Sequence, residues 1–300
     1  MHSNDKQYSR RDFMKISGIG GLVFASGLPG CASMAGGGGD FSFVQVSDLH
    51  WGYNNPKVNP EAKSTLPRAI AAINAMEQKP DFIVFTGDLT QTTDDRALRR
   101  QRLREVKDMI GGLGSQKVYT FAGEHDASLD RGEAYLEVFG GQLNYTFDHK
   151  GVHFIVLDNC SDPAPVLGAK QIEWLKADLA NQKKDAPIVV LTHRPLFAML
   201  PQWDWNTRDG TQAIDALMPF KNVTVFYGHV HHENHFNTGH ITHHSALSTM
   251  FPLSPVGSMP EKTQLPWTPS QPFKGLGFRT VQATASGAAQ QAREIPFAKA

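Results

Sequence analysis

The sequence has few cysteines, no long apolar run and no excess of charge of either sign. Only Cys31 and Cys160 occur among its 300 residues. No apolar run reaches the 18 or so residues that a transmembrane helix needs, which excludes an ordinary membrane span. The 29 lysines and arginines balance 29 aspartates and glutamates. No net positive field can therefore gather nucleic acid, and we expect no nucleic-acid partner.

The remaining composition is that of a globular protein with a concentration of histidine. Hydrophobic residues make up 40% and charged residues 19% of the chain, close to the averages for soluble domains. Of 13 histidines, seven lie between residues 229 and 244. Because histidine is a common metal ligand and proton-transfer group, this clustering indicates a functional site in the C-terminal half.

The first 30 residues resemble a twin-arginine export signal. Arg10 and Arg11 are followed by Phe13, Lys15 and a short, glycine-containing apolar stretch, which is too short for a stable membrane span. The resemblance implies recognition by the twin-arginine export machinery. It also implies that the mature protein is exported to the periplasm or to the outer face of a bacterial membrane.

Two processing routes are compatible with the residues that follow this segment. Cys31 lies where a lipoprotein signal places its acylated cysteine, which would give a membrane tether. Cleavage after Ala35, in a small-x-small pattern, would instead release the protein. If Cys31 is acylated or removed, Cys160 has no partner in the chain, and the domain depends on its hydrophobic core. We therefore divide the chain into a signal and glycine-rich linker, residues 1–39, and one catalytic domain, residues 40–300.

From residue 41 onward, segments typical of strands and of helices alternate, which favours an α/β architecture. The predicted strands are 41–46, 82–85, 117–121, 145–147, 152–157, 188–191 and 223–227, and the predicted helices are 64–78, 94–110, 133–139, 169–181 and 211–218. Further strands are predicted within 234–250 and 277–284, and a loop over 252–272.

Polar motifs follow five of these strands. They are Ser47-Asp48-Leu49-His50, Thr86-Gly87-Asp88-Leu89, Ala122-Gly123-Glu124-His125-Asp126, Leu191-Thr192-His193-Arg194-Pro195 and Tyr227-Gly228-His229-Val230-His231. An aspartate after a strand is often only a turn former, and a lone histidine is often a buried structural residue. However, loops from the carboxyl ends of strands converge in α/β sheets. The five motifs together therefore predict a metal site.

In this order the motifs resemble those of the calcineurin-like metallophosphoesterases, and the resemblance extends from residue 41 to about residue 249. It implies two mixed β-sheets packed as a sandwich and flanked by helices, a four-layer α/β fold with a two-metal site at the strand ends. By position, it assigns Asp48, His50 and His231 to the first metal, Asp88 as a bridge, and Glu124, His193 and His229 to the second metal. It also places His125 towards the substrate.

The residue types explain the chemistry that this resemblance implies. Oxygen and imidazole ligands suit Mn, Fe or Zn, and the lack of cysteine ligands argues against a structural zinc cage. Two divalent or mixed-valence ions can share a hydroxide that attacks phosphorus, so that no protein nucleophile is needed. We expect His125 to donate a proton to the leaving group and Asp126 to fix the tautomer of the His125 ring.

Glu124 departs from the family pattern, which usually has asparagine at this position. The carboxylate can bind a metal equally well, but it adds a negative charge to the site. The sequence alone therefore favours a diester monoanion over a dianionic monoester, or a trivalent ion such as Fe³⁺. The alternative interpretation is that Glu124 is an equivalent ligand without effect on specificity.

We therefore predict an exported, metal-dependent phosphoesterase that hydrolyses a small phosphodiester or phosphomonoester. A phosphoprotein or nucleotide phosphatase on the same scaffold is the alternative among enzymes. A non-catalytic, metal-binding exported lipoprotein is the alternative from a different class. The intact His125-Asp126 pair beside the predicted ligands argues against it, because a protein that only binds metal needs no proton donor there.

Overall fold

A computed structural model describes residues 39–114, 116–284 and 290–297. These residues form eleven strands, β1 to β11, and six α-helices, α1 to α6. The strands are Phe41–Val46, Phe82–Thr86, Lys117–Phe121, Tyr145–His149, Val152–Leu157, Pro187–Thr192, Asn222–Tyr227, Asn234–Thr238, Ile241–Ser245, Gly277–Ala283 and Gln290–Pro296. The helices are Ala62–Ala75, Arg96–Ile110, Glu124–Ala127, Glu133–Phe139, Ala169–Leu179 and Gly210–Leu217.

The strands form two mixed sheets. The first has the order β11-β10-β1-β2-β3, and the second has the order β4-β5-β6-β7-β9-β8. β1, β2 and β3 are parallel, and so are β5, β6, β7 and β9. Antiparallel strands complete the edges of both sheets. The parallel strands at the centre of each sheet point their carboxyl ends towards one edge, where their loops meet.

The two sheets pack face to face through an aromatic layer. Phe43 and Phe82 of the first sheet stack with ring centroids 5.0 Å apart, and both contact Phe154 of the second sheet edge to face. Such offset and edge-to-face contacts are the favoured arrangements of aromatic rings. Strands of this kind are covered on both sides, which explains why β2 has five consecutive buried residues.

Helices cover the outer face of each sheet, so the domain has four layers. Residues of α1, α2 and α4 share an apolar cluster with β1 and β2, whereas residues of α5 and α6 pack on β5, β6 and β7. Asp95 precedes α2 and caps its N-terminus, because its carboxylate accepts hydrogen bonds from the backbone N–H groups of Ala97 and Leu98. The prediction of two mixed sheets flanked by helices is confirmed.

Most elements occur where the sequence predicts them, and the differences lie mainly at the C-terminus. β1, β3, β5 and α4 have the predicted bounds. The predicted strand region 234–250 contains two shorter strands, β8 and β9, and the segment 252–272 is a loop, as expected. β11 was not predicted, because its polar sequence belongs to an edge strand with only one strand neighbour.

The predicted export signal, Cys31, the cleavage position after Ala35 and most of the glycine linker lie outside the described residues. The domain is described by itself from residue 39. Within the described ranges, no helix is both long and apolar enough to cross a membrane.

Candidate metal centre

Loops from five strand ends bring the predicted ligands together between the two sheets. Three groups of side chains have potential ligand atoms that all lie within 4.8 Å of one another. The groups are Asp48, His50 and His231; Asp88, Glu124, His193 and His229; and His50, Asp88 and His125. All seven predicted metal ligands belong to these groups, and Asp88 and His50 each belong to two of them. The sequence motifs thus converge on one place.

The backbone of these loops is strained at the candidate ligands themselves. Eight non-glycine residues of the described chain have positive φ angles, and five of them are Asp48, His50, Asp88, His229 and His231. A positive φ costs free energy for a residue with a Cβ atom, and it persists only where the surrounding structure imposes it. The strain therefore coincides with the positions at which the loops must aim their side chains into the site.

The first group lies at the ends of β1 and β7. The Nε2 atom of His231 is 3.3 Å from the Asp48 carboxylate and 3.1 Å from the Nε2 atom of His50. Both oxygens of the Asp48 carboxylate accept from the backbone N–H of His229, and Oδ2 also accepts a hydrogen bond from the Ser47 hydroxyl. Asp48 is thereby fixed in orientation, and the inner nitrogens of the two rings face it.

The second group lies at the ends of β2, β3, β6 and β7. The Nε2 atom of His193 is 2.8 Å from Glu124 and 3.2 Å from Asp88. The Nδ1 atom of His229 is 2.8 Å from the other oxygen of Glu124. Gly123 allows the loop after β3 to lie close to Asp88, because a Cβ atom at this position would collide with the side chain and the backbone nitrogen of Asp88.

Backbone carbonyl groups orient three of the rings. The Nδ1 atom of His193 is 2.7 Å from the carbonyl oxygen of Thr86, and the Nδ1 atom of His231 is 2.7 Å from that of Phe251. For His229 the outward atom is Nε2, 3.0 Å from the carbonyl oxygen of Asp204. Because a carbonyl oxygen only accepts, each outward nitrogen carries the proton. Each inward nitrogen then offers its lone pair to the site, as in metal-ligating histidines.

The three carboxylates remain ionised despite their burial. Burial raises the pKa of Asp48, but the adjacent His231 and His193 rings hold it below its ordinary value. Burial also raises the pKa of Glu124, yet His229 and Arg194 hold it well below its ordinary value. The pKa of Asp88 is lowered in the same way by His193 and His125, against the effects of burial and of Glu124. Three negative charges therefore meet in this small volume.

The donor set fits metal ions. Burial and the proximity of His125 lower the pKa of His50 to about 3, so this ring is neutral. Burial likewise lowers the pKa of His229. The Nε2 atom of His193 faces the Asp88 and Glu124 carboxylates, which raise the pKa of this ring against the effect of burial. A bound cation would take the place of the proton on that nitrogen. Imidazoles and carboxylates are ligands that Mn, Fe and Zn accept.

His125 lies at the rim of this centre, with 28% of its side chain exposed. Its Nδ1 atom is 2.6 Å from the Thr92 hydroxyl and 3.4 Å from the Thr92 backbone nitrogen. Because a backbone N–H can only donate, this contact favours a lone pair at Nδ1 and a proton at Nε2. The Nε2 atom faces Asp88 at 3.9 Å. His125 thus presents a proton to the site, and Thr92 holds its ring.

The expectation that Asp126 fixes the His125 ring is wrong. One Asp126 oxygen accepts hydrogen bonds from the backbone N–H groups of Gly123 and Leu89, and the other accepts from the backbone N–H and hydroxyl of Thr90. Asp126 is the third residue of α3, so its side chain turns back towards the residue that precedes the helix. Its role is to join the loop after β2 to the loop after β3.

Two residues that the sequence analysis did not single out complete the surroundings of Glu124. The guanidinium of Arg194 lies 3.4 Å from the Glu124 carboxylate. The Arg194 side chain is held in turn by Asp204, through a carboxylate contact of 2.6 Å and a carbonyl contact of 2.9 Å. Arg194 directly follows His193, so its position was available in the sequence, but Asp204 lies in an irregular loop without a signal.

The loop after β6 lies against the segment 252–272. The indole nitrogen of Trp203 donates to the carbonyl oxygen of Pro260, and the Tyr53 hydroxyl donates to Gln264. Trp205 is fully buried in the core and therefore has a structural role. Trp203, Asp204 and residues 260–262 line a cleft of about 450 Å³ on the side of the centre where Asp204 contacts His229.

Comparison with known proteins places this geometry in context. The family profile for calcineurin-like phosphoesterases matches residues 41–233. The serine/threonine-protein phosphatase CPPED1 of Danio rerio is 27% identical over 221 residues, which cover 64% of this chain and 71% of the relative. A cAMP/cGMP dual specificity phosphodiesterase of Mycobacterium tuberculosis is 26% identical over 201 residues, covering 64% of this chain and 62% of that protein.

Solved structures share the fold. A dimetal phosphatase from Danio rerio superposes with a TM-score of 0.57 at 14% identity, covering 84% of this chain and 98% of its own. A purple acid phosphatase from yellow lupin superposes with a TM-score of 0.64 at 15% identity, covering 89% of this chain and 53% of its own. At these identities the likeness concerns the architecture of two sheets and flanking helices.

Proposed function

Because the chain belongs to the calcineurin-like phosphoesterase family, we propose that it is a dinuclear, metal-dependent hydrolase of small phosphodiesters or phosphomonoesters. The observation that carries the proposal is the convergence of three ionised carboxylates and four histidines at the strand ends. Bound cations would stabilise a cluster of three carboxylates that is buried between two sheets.

The geometry supports a division of the ligands between two ions. Asp48, His50 and His231 would hold the first ion, and Glu124, His193 and His229 would hold the second. Asp88 would serve both ions, since its Oδ2 atom lies 3.2 Å from His193 and 3.7 Å from His50. These two rings belong to different ligand groups. When bound, divalent or mixed-valence Mn, Fe or Zn ions would supply a water-derived nucleophile and offset the charge of the phosphoryl oxygens.

In this proposal, His125 donates a proton to the alcohol that leaves the phosphoester. It is the one predicted site residue at the rim, its Nε2 proton faces inward, and Thr92 prevents the ring from turning. An alkoxide departs readily from phosphorus only if it is protonated as the bond to phosphorus breaks. A ring held beside the metal ligands is suited to that step, which distinguishes an enzyme from a protein that only stores metal.

The relatives are named for two kinds of phosphoester, protein phosphomonoesters and cyclic nucleotides. Phosphoprotein or nucleotide phosphatase activity on the same scaffold remains the alternative among enzymes.

Hydrolysis of bis(p-nitrophenyl) phosphate and p-nitrophenyl phosphate by Mn²⁺-loaded protein tests this proposal. We expect turnover of at least one ester. For an alkyl phosphoester, whose alkoxide needs the proton, we expect a loss of at least about 100-fold in kcat in His125→Ala, with unchanged metal content. His240→Ala, at the turn between β8 and β9, is the matched control and should retain activity. Metal-loaded protein without turnover of either ester would contradict the proposal and favour a non-catalytic, metal-binding lipoprotein.

We also propose that residues 1–39 direct export by the twin-arginine route and are a signal and linker attached to the catalytic domain of residues 40–300. The paired Arg10 and Arg11 support the route, and Cys31 supports a lipid tether to the membrane. Cell fractionation tests both points. A double Arg10→Lys/Arg11→Lys change should retain the protein in the cytoplasm, and Cys31→Ala should release an otherwise tethered protein from the membrane fraction.

A further inference from the structure

Arg194 is a buried cation beside the metal centre that the proposed reaction does not use. Its side chain is only 7% exposed. Burial of a guanidinium is costly unless anionic partners surround it. One partner is Asp204, which holds one terminal nitrogen by its carboxylate and its carbonyl group. The other terminal nitrogen lies 3.4 Å from Glu124.

Glu124 is also the residue that departs from the family pattern. Both of its oxygens point into the centre, one towards His193 and the other towards His229, each at 2.8 Å. An asparagine in the same place would bring one negative charge fewer. With Glu124, the carboxylates of the centre contribute three negative charges, but the adjacent guanidinium contributes one positive charge. The Asp204 carboxylate that also contacts this guanidinium is 51% exposed, so solvent screens its charge. Apart from Asp204, the total is the same as for two carboxylates and an asparagine without an arginine.

We propose that Arg194 is a positioning and charge-compensating residue that allows a glutamate to occupy the metal-ligand position of Glu124. The proposal rests on the proposed function and deepens it. Its first consequence is that the extra charge of Glu124 does not bias the site towards diester monoanions, because Arg194 cancels it. Its second consequence is that replacing either residue alone alters the affinity of the site for metal ions.

The direction of each effect follows from the charges. Replacing Glu124 by asparagine leaves the guanidinium with Asp204 as its anionic partner, and its positive charge then repels a cation at His193 and His229. Replacing Arg194 by glutamine leaves Glu124 uncompensated, which strengthens cation binding but weakens the binding of a dianionic substrate. The two changes are thus expected to have opposite effects on cation binding, and the double variant is expected to lie between the two single variants.

A double-mutant cycle measures the effects of the two changes on Mn²⁺ affinity without relying on activity. Mn²⁺ binding to chelator-treated protein is determined by calorimetry for wild type, Glu124→Asn, Arg194→Gln and the double variant. We expect Glu124→Asn to weaken binding at one site by about tenfold or more, and Arg194→Gln in that background to recover at least about fivefold. Arg194→Lys, which keeps the charge, should stay closer to wild type than Arg194→Gln.

The cycle separates failure of this inference from failure of the proposed function. Wild-type protein that binds two Mn²⁺ ions, together with no strengthening of Mn²⁺ binding by Arg194→Gln in either background, would overturn only the role of Arg194. Wild-type protein that binds no Mn²⁺ would overturn both. Melting in chelator checks that each variant folds, and Arg194→Met supplies a second neutral replacement if the glutamine variant does not.

A kinetic measurement separates charge compensation from a purely structural role. In Arg194→Gln, KM for the dianionic p-nitrophenyl phosphate should rise at least about fivefold more than KM for the monoanionic bis(p-nitrophenyl) phosphate. An equal change for both esters would contradict the inference, because loss of packing alone does not distinguish substrates by charge.

Discussion

The hydroxyl oxygen of Thr92 lies 2.6 Å from the Nδ1 atom of His125, at the rim of a centre in which every other predicted ring is buried. This contact and the neighbouring backbone N–H of Thr92 favour the tautomer that carries its proton on Nε2. Orientation of the proposed proton donor therefore depends on a residue in the loop after β2, more than 30 positions earlier in the chain.

Removal of the Thr92 hydroxyl should slow turnover without affecting the metals. Thr92→Val keeps the shape of the side chain but loses one hydrogen bond of about 1 kcal/mol, which corresponds to about a fivefold reduction in kcat. Thr92→Ser, which retains the hydroxyl, is the control and should retain most of the activity. A valine variant with wild-type kcat would show that Thr92 does not orient His125.

Asp126 should contribute to stability rather than to the state of the His125 ring. In Asp126→Asn, an NH₂ group replaces one carboxylate oxygen, which accepts hydrogen bonds from backbone N–H groups in the native protein. Donors then face donors, so we expect the free energy of unfolding to fall by about 1 to 3 kcal/mol. Urea unfolding in the presence of chelator measures this. Asp215→Asn, on the exposed side of α6, should change stability by less than about 0.5 kcal/mol. A stable Asp126→Asn protein with reduced kcat would instead support the tautomer role.

Gly123 should tolerate no side chain. A methyl group there would collide with Asp88, so Gly123→Ala requires the loops after β2 and β3 to move apart. We expect a loss of about 1 to 3 kcal/mol in stability together with weaker metal binding. Gly111 is the matched control, because its backbone is helical and no atom lies within 4 Å of an added Cβ. Equal behaviour of the two alanine variants would contradict the packing described for Gly123.

His243 should make the stability of the metal-free protein sensitive to mild acid. Its ring is fully buried in β9 beside Phe197, and burial lowers its pKa to about 3. The unfolded chain binds a proton near pH 6.5, whereas the folded ring does not, so stability is complete above pH 6.5 and falls as the pH decreases. We expect this group alone to remove about 1 to 2 kcal/mol between pH 6.5 and 5.

Comparison of wild type with His243→Gln in chelator isolates this effect. The glutamine amide can still bond to the Thr238 hydroxyl, which contacts the ring in the native protein. The stability difference between the two proteins should shift in favour of the variant from pH 7.5 to pH 5. A difference that is the same at both values would show that the buried ring does not control the acid response.

The sheet architecture and the seven candidate ligands were predictable from the sequence because their signals are local. A run such as β2 is fully buried and almost entirely apolar, and each ligand motif follows directly after a predicted strand. The family resemblance supplied the pairing of ligands between two groups. The strain at Asp48 and Asp88 left no sequence signal, because these aspartates also suit ordinary turns.

The contacts around the ligands could not be predicted, since they depend on how loops fold. Thr92 and Asp204 reach the centre through irregular segments, and their distances from His125 and Arg194 along the chain give no indication of contact. For Asp126, proximity in sequence to His125 was misleading, because successive residues of a helical turn point in different directions. The charge of Glu124 was evaluated from the sequence without its partner Arg194.

Metal stoichiometry is the most direct test of the central claim, which is that the strand-end loops form a two-metal site. Full-length protein purified without chelators is reconstituted with Mn²⁺ and measured by elemental analysis, beside His193→Ala and His231→Ala. We expect close to two ions per chain in wild type and about one in each variant, because each change removes a ligand from only one group. Wild-type protein that retains no metal after reconstitution would contradict the account.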